Sequence, residues 1–360
     1  VSGGEAGARG DGPRRVALIT DAWLPQINGV TTTLAHCRDE LVLGGCTVEV
    51  VSPERFRSIP CPRYPQIRLA VGAGRRVREL LHELRPEAIH IATEGPLGIA
   101  ARRFCGGRGI PFTSAFHTRF ADYLRVYAGV PVALTLRLQR WFHGRARRTL
   151  VPTASLKREL ESLGFANLVE WVRGVDTTLF RPRDEEFYGL ARPIFLSVGR
   201  VAAEKNLAAF LALELPGSKV VVGDGPARAA LERRHPEVRW AGFRVGEDLA
   251  RHYAGADVLV FHSRTDTFGV VMLEANACGL PVAAFPVGGP LDVVQQGVTG
   301  VLDEDLGAAC RGALELDRGA CRRHRASVDL GTSSGAGGRR ERPRDVYRPG
   351  VRGAGESAAV

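Results

Sequence analysis

Two acidic residues, Asp266 and Glu274, stand eight apart in the string SRTDTFGVVMLEANACGLP, which runs from Ser263 to Pro281. Eight residues are slightly more than two turns of a helix. With Thr267, Phe268 and Gly269 opening that helix, backbone N–H groups at its start lack internal partners and can meet an anion. Gly269 lets the backbone approach a ligand closely, and Val270 follows in the same turn. Glu274, two turns on, can accept hydrogen bonds from a ribose diol. By spacing alone, an N-capping Asp ahead of an ordinary amphipathic helix explains the pair equally well. A second constellation lies in SVGRVAAEKNL, Ser197 to Leu207, where Gly199 follows a strand, Arg200 comes next and Lys205 five later. A planar guanidinium fork and a compact ammonium both suit phosphate oxygens. Together they can neutralise a leaving diphosphate, although two isolated cations would read as ordinary surface charge.

Weaker signals accompany these two. Gly223 and Asp224 open the turn GDGP, and Arg244 lies in GFRV; each follows an apolar run. A D-G turn alone marks many loops. In the first half, DAWLPQINGVTTT carries Asp21 and Gly29, the latter where a loop meets a helix, a place suited to phosphate. His117 in AFHTRFADY and Glu94 in ATEGPLG both come directly after apolar runs. A lone histidine is more often structural than catalytic.

These residues need elements that bring them to a common edge. Apolar runs alternate with helical patterns along the chain, which implies parallel sheets covered on both faces. Arg15 to Thr20 reads as a strand, and Val30 to Leu43 as a helix with Val30, Leu34, Cys37 and Leu41 on one face, stopped at Gly44-Gly45. Thr47 to Ser52, Ala88 to Ala92, Pro111 to Phe116 and Thr149 to Val151 read as further strands. The rhythm restarts with Pro193 to Val198, Lys219 to Val222, Val238 to Ala241, Asp257 to Phe261 and Pro281 to Phe285. We therefore expect an α/β protein with two Rossmann-like domains, residues 15–176 and 193–321, joined by a polar linker at 177–192. Ligands of such sheets sit beyond the carboxyl ends of strands, and a cleft between two domains is the natural site.

The Ser263–Pro281 string resembles the E-x7-E segment of family 4 of the retaining glycosyltransferases, with Asp in place of the first Glu. The G-R-x-x-x-E-K-N pattern from Gly199, the GDGP turn, the Gly29 loop and the His-Thr pair at His117 resemble that family's motifs, in the same order, between about Arg14 and Leu316. The resemblance implies a GT-B fold, in which the two domains face a central cleft. It implies that Glu274 holds the ribose, that Thr267, Phe268, Gly269 and Val270 face the diphosphate and sugar, and that Arg200 and Lys205 neutralise the diphosphate. By the same likeness His117 contacts the transferred sugar, Gly29 approaches the phosphates, and Gly199, Gly223 and Asp224 shape the donor site. Arg244 borders the nucleotide base, and Asp21 and Glu94 line the acceptor side. Asp266 is one methylene shorter than the usual Glu, which alters its reach toward the donor sugar. The reaction implied is transfer of a hexose from a nucleotide diphosphate sugar to an acceptor hydroxyl, with retention and with neither metal nor other cofactor. The DTFG form is most like that of mannosyl transferases, so GDP-mannose is the expected donor and a UDP-hexose the second choice. A glycolipid or polysaccharide is the expected acceptor. The alternative is a non-catalytic or defective nucleotide-sugar binder on the same fold.

Composition narrows the classes further. At about 100–200 residues per domain, 360 residues fit two domains. No run approaches the roughly 18 apolar residues of a membrane-spanning helix. Residues 119–148 are basic and apolar together, a face suited to an anionic bilayer or, equally, a solvated helical pair. A cytoplasmic protein with peripheral contact at the inner membrane face is expected. Seven scattered cysteines without a C-x-x-C speak against zinc and against a disulfide framework. Half of the net charge of +10 comes from residues 322–360, where nine Arg face four acidic residues. No nucleic-acid recognition motif accompanies this charge, so nucleic acid is not an expected partner. His262 stands where the family commonly has Pro, and a local packing role is expected. Residues 1–14 read as a disordered leader. Residues 322–360 read as a disordered basic tail, too poor in apolar groups to bury a core. The abrupt change of composition favours a shifted reading frame over a genuine tail.

Overall fold

The computed structural model describes residues 14–26, 28–61, 64–120, 124–125, 129–171 and 173–331. All of the expected leader except Arg14, and the expected tail from residue 332 onward, lie outside the described residues.

The first domain contains β1 (Arg15–Ile19), β2 (Thr47–Val51), β3 (Ser58–Cys61), β4 (Tyr64–Ala70), β5 (Ala88–Ile91), β6 (Thr113–Ala115), β7 (Arg148–Val151) and β8 (Leu168–Glu170). Six of these form one parallel sheet in the order β2-β1-β5-β6-β7-β8, while β3 and β4 pair as an antiparallel hairpin. Why β1 reads as an unbroken apolar run is visible in its packing. Ala17 and Ile19 face a core with Val77, Leu80 and Leu81 of α2 (Ala73–Leu84) and Leu97 of α3 (Pro96–Gly106). Val16 packs with Cys37 and Leu41 of α1 (Gly29–Leu43), and Leu18 with Leu34 of the same helix. A strand covered on both faces needs apolar groups at every position, each fully buried large one contributing roughly 1.5–3 kcal/mol. The described residues complete this domain with α4 (Val132–His143) and α5 (Ala154–Ser162).

The second domain repeats the plan with β9 (Ile194–Val198), β10 (Ser218–Val222), β11 (Arg239–Gly242), β12 (Val258–Phe261), β13 (Val282–Ala284) and β14 (Gly300–Leu302), all parallel in the order β11-β10-β9-β12-β13-β14. Its helices are α6 (Leu207–Leu211), α7 (Arg228–Arg234), α8 (Gly246–Gly255), α9 (Val270–Ala277), α10 (Gly288–Val293), α11 (Leu306–Leu314) and α12 (Arg318–Gly331). Ile194 and Leu196 face Tyr253 and Met272 on one side of β9, while Phe195 meets Phe210 and Leu207 on the other. Two Rossmann-like parallel-sheet domains are thus present, as expected.

The polar segment 177–192 holds no helix or strand, yet it is part of the second domain's core. Phe180 is buried beside Ile194 and Tyr253, and the Tyr188 hydroxyl donates to the His252 carbonyl oxygen at 2.9 Å. The tail expectation also needs correction at its near end, because residues 322–331 are helical, in α12. Asp317 starts this helix by accepting from the Gly319 N–H at 2.8 Å. Arg318 donates to the carbonyl oxygens of Ala254 and Ala256 at the end of α8, and Arg322 to that of Ala277 at the end of α9. These arginines serve helix C-termini, where cations are favoured and carbonyls lack internal partners. Composition alone could not distinguish that use from tail charge.

Candidate active site

In each sheet the strand order reverses at one place, between β1 and β5 and between β9 and β12. The loops leaving the carboxyl ends of these four strands carry Asp21 to Gln26 with Asn28 ahead of α1, Thr93 and Glu94, Gly199 to Lys205, and His262 to Gly269. The segment after β6 meets the second-domain loops: the Thr267 hydroxyl donates to the His117 backbone carbonyl at 2.9 Å. Nearby, Ser155 of α5 donates to Asp292 of α10 at 2.5 Å. The site lies between the domains.

On the second-domain side, three loops are stitched together by backbone bonds. Gly199 N–H donates to Val222, Val201 N–H to Asp224, and Gly223 N–H to Gly242. Gly223 has φ +143°, and a Cβ there would lie 1.8 Å from the Gly199 carbonyl oxygen, so only glycine lets the two loops approach. Asp224 itself serves the turn, accepting from Gly225 N–H and pairing with Arg228 at 3.2 Å. Arg244 sits on the exposed rim, paired with Asp248 at 2.9 Å. Arg200 is half-buried in the loop after β9. Lys205 and Asp266 form a direct ion pair, so the shorter acid reaches the ammonium. Beside Lys205 and burial, this pairing sets the Asp266 carboxyl: burial pushes it up, the Lys205 charge pulls it down, and the balance lies below the usual carboxylate range. His262 braces the same place, with Nε2 at 2.8 Å from Ser197 Oγ and Nδ1 donating to the Lys205 carbonyl at 2.5 Å. Burial lowers it to about 4. The local role expected for His262 is what the structure displays.

The helix after Asp266 begins later than expected. Gly269, at φ +90°, is the N-cap and α9 starts at Val270. Thr267 and Phe268 are buried, the former bonded to His117, so the N–H groups open at the helix start are those of Val270 and Val271, with no side-chain cap. Because the helix starts at Val270, Glu274 is buried little more than one turn down, not two. The Tyr253 hydroxyl donates to its Oε2 at 2.6 Å, and burial pushes the carboxyl up to about 7.

On the first-domain side the start of α1 is less open than Gly29 suggested. Asn28 caps it, its Oδ1 accepting from the N–H groups of both Val30 and Thr31 at 3.0 Å. Gly29 remains the exposed approach, with nothing within 4 Å of where its Cβ would be. Asp21 is buried, and its carboxylate accepts from Thr93 Oγ1 at 2.8 Å and Leu97 N–H at 2.9 Å, which caps α3. Its place is beneath the first-domain loops, not on an open surface. Glu94 stays partly open, held by Gln139 Nε2 at 3.1 Å and His143 Nε2 at 3.2 Å. The ring of His117 is buried, with Arg173 Nη2 3.1 Å from its Nδ1.

Four residues of this site escaped the sequence reading: Asn28, Thr93, Tyr253 and Arg173. Arg173 had a usable signal, since it lies three residues past β8, at the same sheet edge as the other candidates. Tyr253 had none, because its partner is 21 residues away on another helix.

Comparison with known proteins fits this geometry. Residues 192–316 match the family model of glycosyl transferases group 1, and residues 27–179 match that of glycosyltransferase family 4. The chain is 33% identical over 322 residues to the GDP-mannose-dependent alpha-mannosyltransferase of Mycolicibacterium smegmatis, an alignment covering 82% of this chain and 86% of that one. It is 29% identical over 327 residues to the sulfoquinovosyl transferase of Arabidopsis thaliana, with 81% and 64% covered. Among solved structures, the sucrose-phosphate synthase of Thermosynechococcus elongatus superposes with a TM-score of 0.71 at 20% identity, covering 88% of this chain and 94% of that one. The two-domain arrangement is therefore the GT-B fold. From the paired sheets, the loops they bring together and these likenesses, the chain belongs to family 4 of the glycosyltransferases.

Proposed function

We propose that the protein transfers mannose from GDP-mannose to an acceptor hydroxyl, with retention of the anomeric configuration and without a metal. The observation that carries this is that the segment with Arg200 and Lys205 after β9 and the start of α9 after β12 leave neighbouring strands at the same end of the second sheet, where Lys205 pairs with Asp266. Relatives over most of the chain being named GDP-mannose-dependent mannosyltransferases favours that donor over a UDP-hexose. The diphosphate lies against Arg200, Lys205 and the N–H groups of Val270 and Val271, with Gly29 approaching from the other domain. Glu274, steadied by Tyr253, receives the ribose. As the glycosidic bond breaks, negative charge grows on the leaving phosphate, and preorganised cations and N–H groups stabilise it. The acceptor oxygen attacks the anomeric carbon from the same face, and its proton passes to the leaving phosphate oxygen. His117 faces the transferred sugar, and Glu94 the acceptor.

The acceptor we infer is a glycolipid at a membrane surface. Along α4, Leu134, Leu138 and Trp141 are 58%, 51% and 43% exposed and fall at helical spacing on one face. Arg137 and Arg140 are exposed on the same helix. Apolar groups flanked by arginine suit the interface of an anionic bilayer. No helix among the described residues is long and apolar enough to cross a membrane.

The test is a transfer assay with GDP-mannose and UDP-glucose as rival donors, in the presence and absence of EDTA, on mixed anionic-lipid extracts. Turnover of GDP-mannose that survives EDTA is expected. A protein that binds the nucleotide and releases no sugar from either donor is the non-catalytic alternative.

A further inference from the structure

Arg173 lies in the segment after β8, at the joint between the domains, and has no part in the mechanism above. It is 9% exposed and His117 is 8% exposed, so both belong to the interior. Its guanidinium is seated over Phe268 of the second domain, 5.4 Å from the ring centroid, and it senses the Asp266 carboxylate. Its Nη2 is 3.1 Å from Nδ1 of His117. Trp171, two residues earlier, borders the same imidazole with centroids 6.3 Å apart.

A guanidinium has only donors. Nδ1 of His117 must therefore be the acceptor, and the single proton of the neutral ring is on Nε2. Protonating Nδ1 as well would set an N–H against an N–H. Nε2 is buried without a hydrogen-bond partner, and so is Nε of Arg173. Two buried donors without acceptors are costly, and both lie beside the loop that carries Thr267. A bound substrate would supply oxygen acceptors there.

We propose that Arg173 is a positioning residue that fixes His117 as a neutral, Nε2-protonated imidazole, presenting a hydrogen-bond donor to an oxygen of the transferred sugar. The groups acting on the ring agree in sign. Burial comes first, then the charges of Arg173, His90 on β5 and His143 on α4, and all hold His117 well below its ordinary range. His117 thus stays a donor, never an acid, across the neutral range. This role rests on the proposed donor site only where substrate enters.

The test begins with the unaltered protein, labelled with 15N in its histidines, His117→Gln serving to assign the signal. A pyrrole-type signal at Nε2 and a pyridine-type signal at Nδ1, unchanged from about pH 8 to 5, are expected; a ring protonated on Nδ1, or titrating near its ordinary value of about 6.5, overturns the proposal. Arg173→Met should release the tautomer, give kcat/KM an acid limb and lower it by about ten- to a hundredfold, the loss expected for one charge-assisted hydrogen bond. Arg173→Gln keeps an N–H donor and should restore the tautomer. An Arg173 with only a packing role would lower thermal stability in the Met variant and leave tautomer and pH profile alone, which also overturns the proposal. If the Met variant does not fold, the unaltered protein and Arg173→Gln decide. Adding the sugar nucleotide that is turned over should shift the Nε2 signal, and no shift refutes the sugar contact. The expected ring state in a protein inactive with GDP-mannose would sink the donor assignment and leave the tautomer role standing.

Discussion

At the scale of single residues, this site is made of charges that hold each other until a ligand arrives. Lys205 is paired with Asp266, so a diphosphate must compete with a carboxylate for the ammonium. Its gain in the transition state is then the added charge of the departing phosphate. Arg200→Ala and Lys205→Ala should each lower kcat by roughly 10²–10³, the range for removing one preorganised stabiliser. Transfer rates within about threefold of the unaltered protein in both variants would remove the two cations from the mechanism. Glu274 carries a different tension. Its carboxyl is pushed up to about 7 by burial, so the native state holds a proton that the unfolded chain releases near its ordinary value of about 4.3. The stability contributed by that proton is full below the unfolded value and lost as pH rises through about 7. Glu274→Gln should therefore raise the ligand-free melting temperature at pH 8 while weakening nucleotide binding by about 1.5–3 kcal/mol, the range for charged hydrogen bonds. Calorimetry with free GDP and thermal melts at pH 8 read both effects. Unchanged GDP affinity in the variant counts against the ribose role.

At the scale of elements, what was legible followed from periodicity. Strands covered on both faces, such as β1 and β9, appear as apolar runs and were located to within a residue or so. The antiparallel pair β3 and β4 was not, because Ser58 to Cys61 and Tyr64 to Ala70 mix proline, arginine and glutamine among their apolar residues. The three-residue strands β8 and β14 were missed because, unlike the equally short β6 and β13, they are not embedded in a longer apolar run. Caps were missed for a related reason: attention to Gly29 passed over Asn28, the residue that satisfies the helix start. α12 is the instructive case. Its arginines from Arg322 onward looked like the onset of a tail, yet Arg322 bonds the end of α9, beside Arg318 at the end of α8, and Cys321 is fully buried. Removing residues 332–360, a stretch poor in apolar groups, should leave the melting temperature within about 2 °C of the full chain. Removing 318–360 takes away both cationic caps, each worth about 0.3–2 kcal/mol at a helix C-terminus, as well as the buried thiol. It should lower the melting temperature by several degrees, at roughly 2–4 °C for each kcal/mol in a domain of this size. Equal melting temperatures for the two truncations would show that α12 contributes nothing to the fold.

At the scale of the whole molecule, both domains bury histidines that the unfolded chain would titrate. Burial lowers His90 of β5 to about 3, and His252 of α8 and His262 after β12 to about 4, and it holds His117 after β6 well below its ordinary range. Between the unfolded value near 6.5 and these native values, the unfolded state binds protons that the native state refuses. The stability contributed by each neutral ring is therefore full above about pH 6.5 and lost as pH falls toward about 4, at about 1.4 kcal/mol per pH unit for each histidine. Glu274 acts oppositely over much of that window, offsetting one of these four. The protein should consequently lose stability steeply on acidification from pH 6.5 to 4.5, with a smaller change between pH 7.5 and 8.5. Because His90 and His117 are in the first domain and His252 and His262 in the second, both domains should weaken together, and His262→Gln should flatten part of the slope. Urea midpoints measured at pH 4.5, 5.5, 6.5, 7.5 and 8.5 at fixed ionic strength test this. A midpoint that holds steady down to pH 4.5 would mean that the buried rings are protonated in the native state, in conflict with the packing around all four.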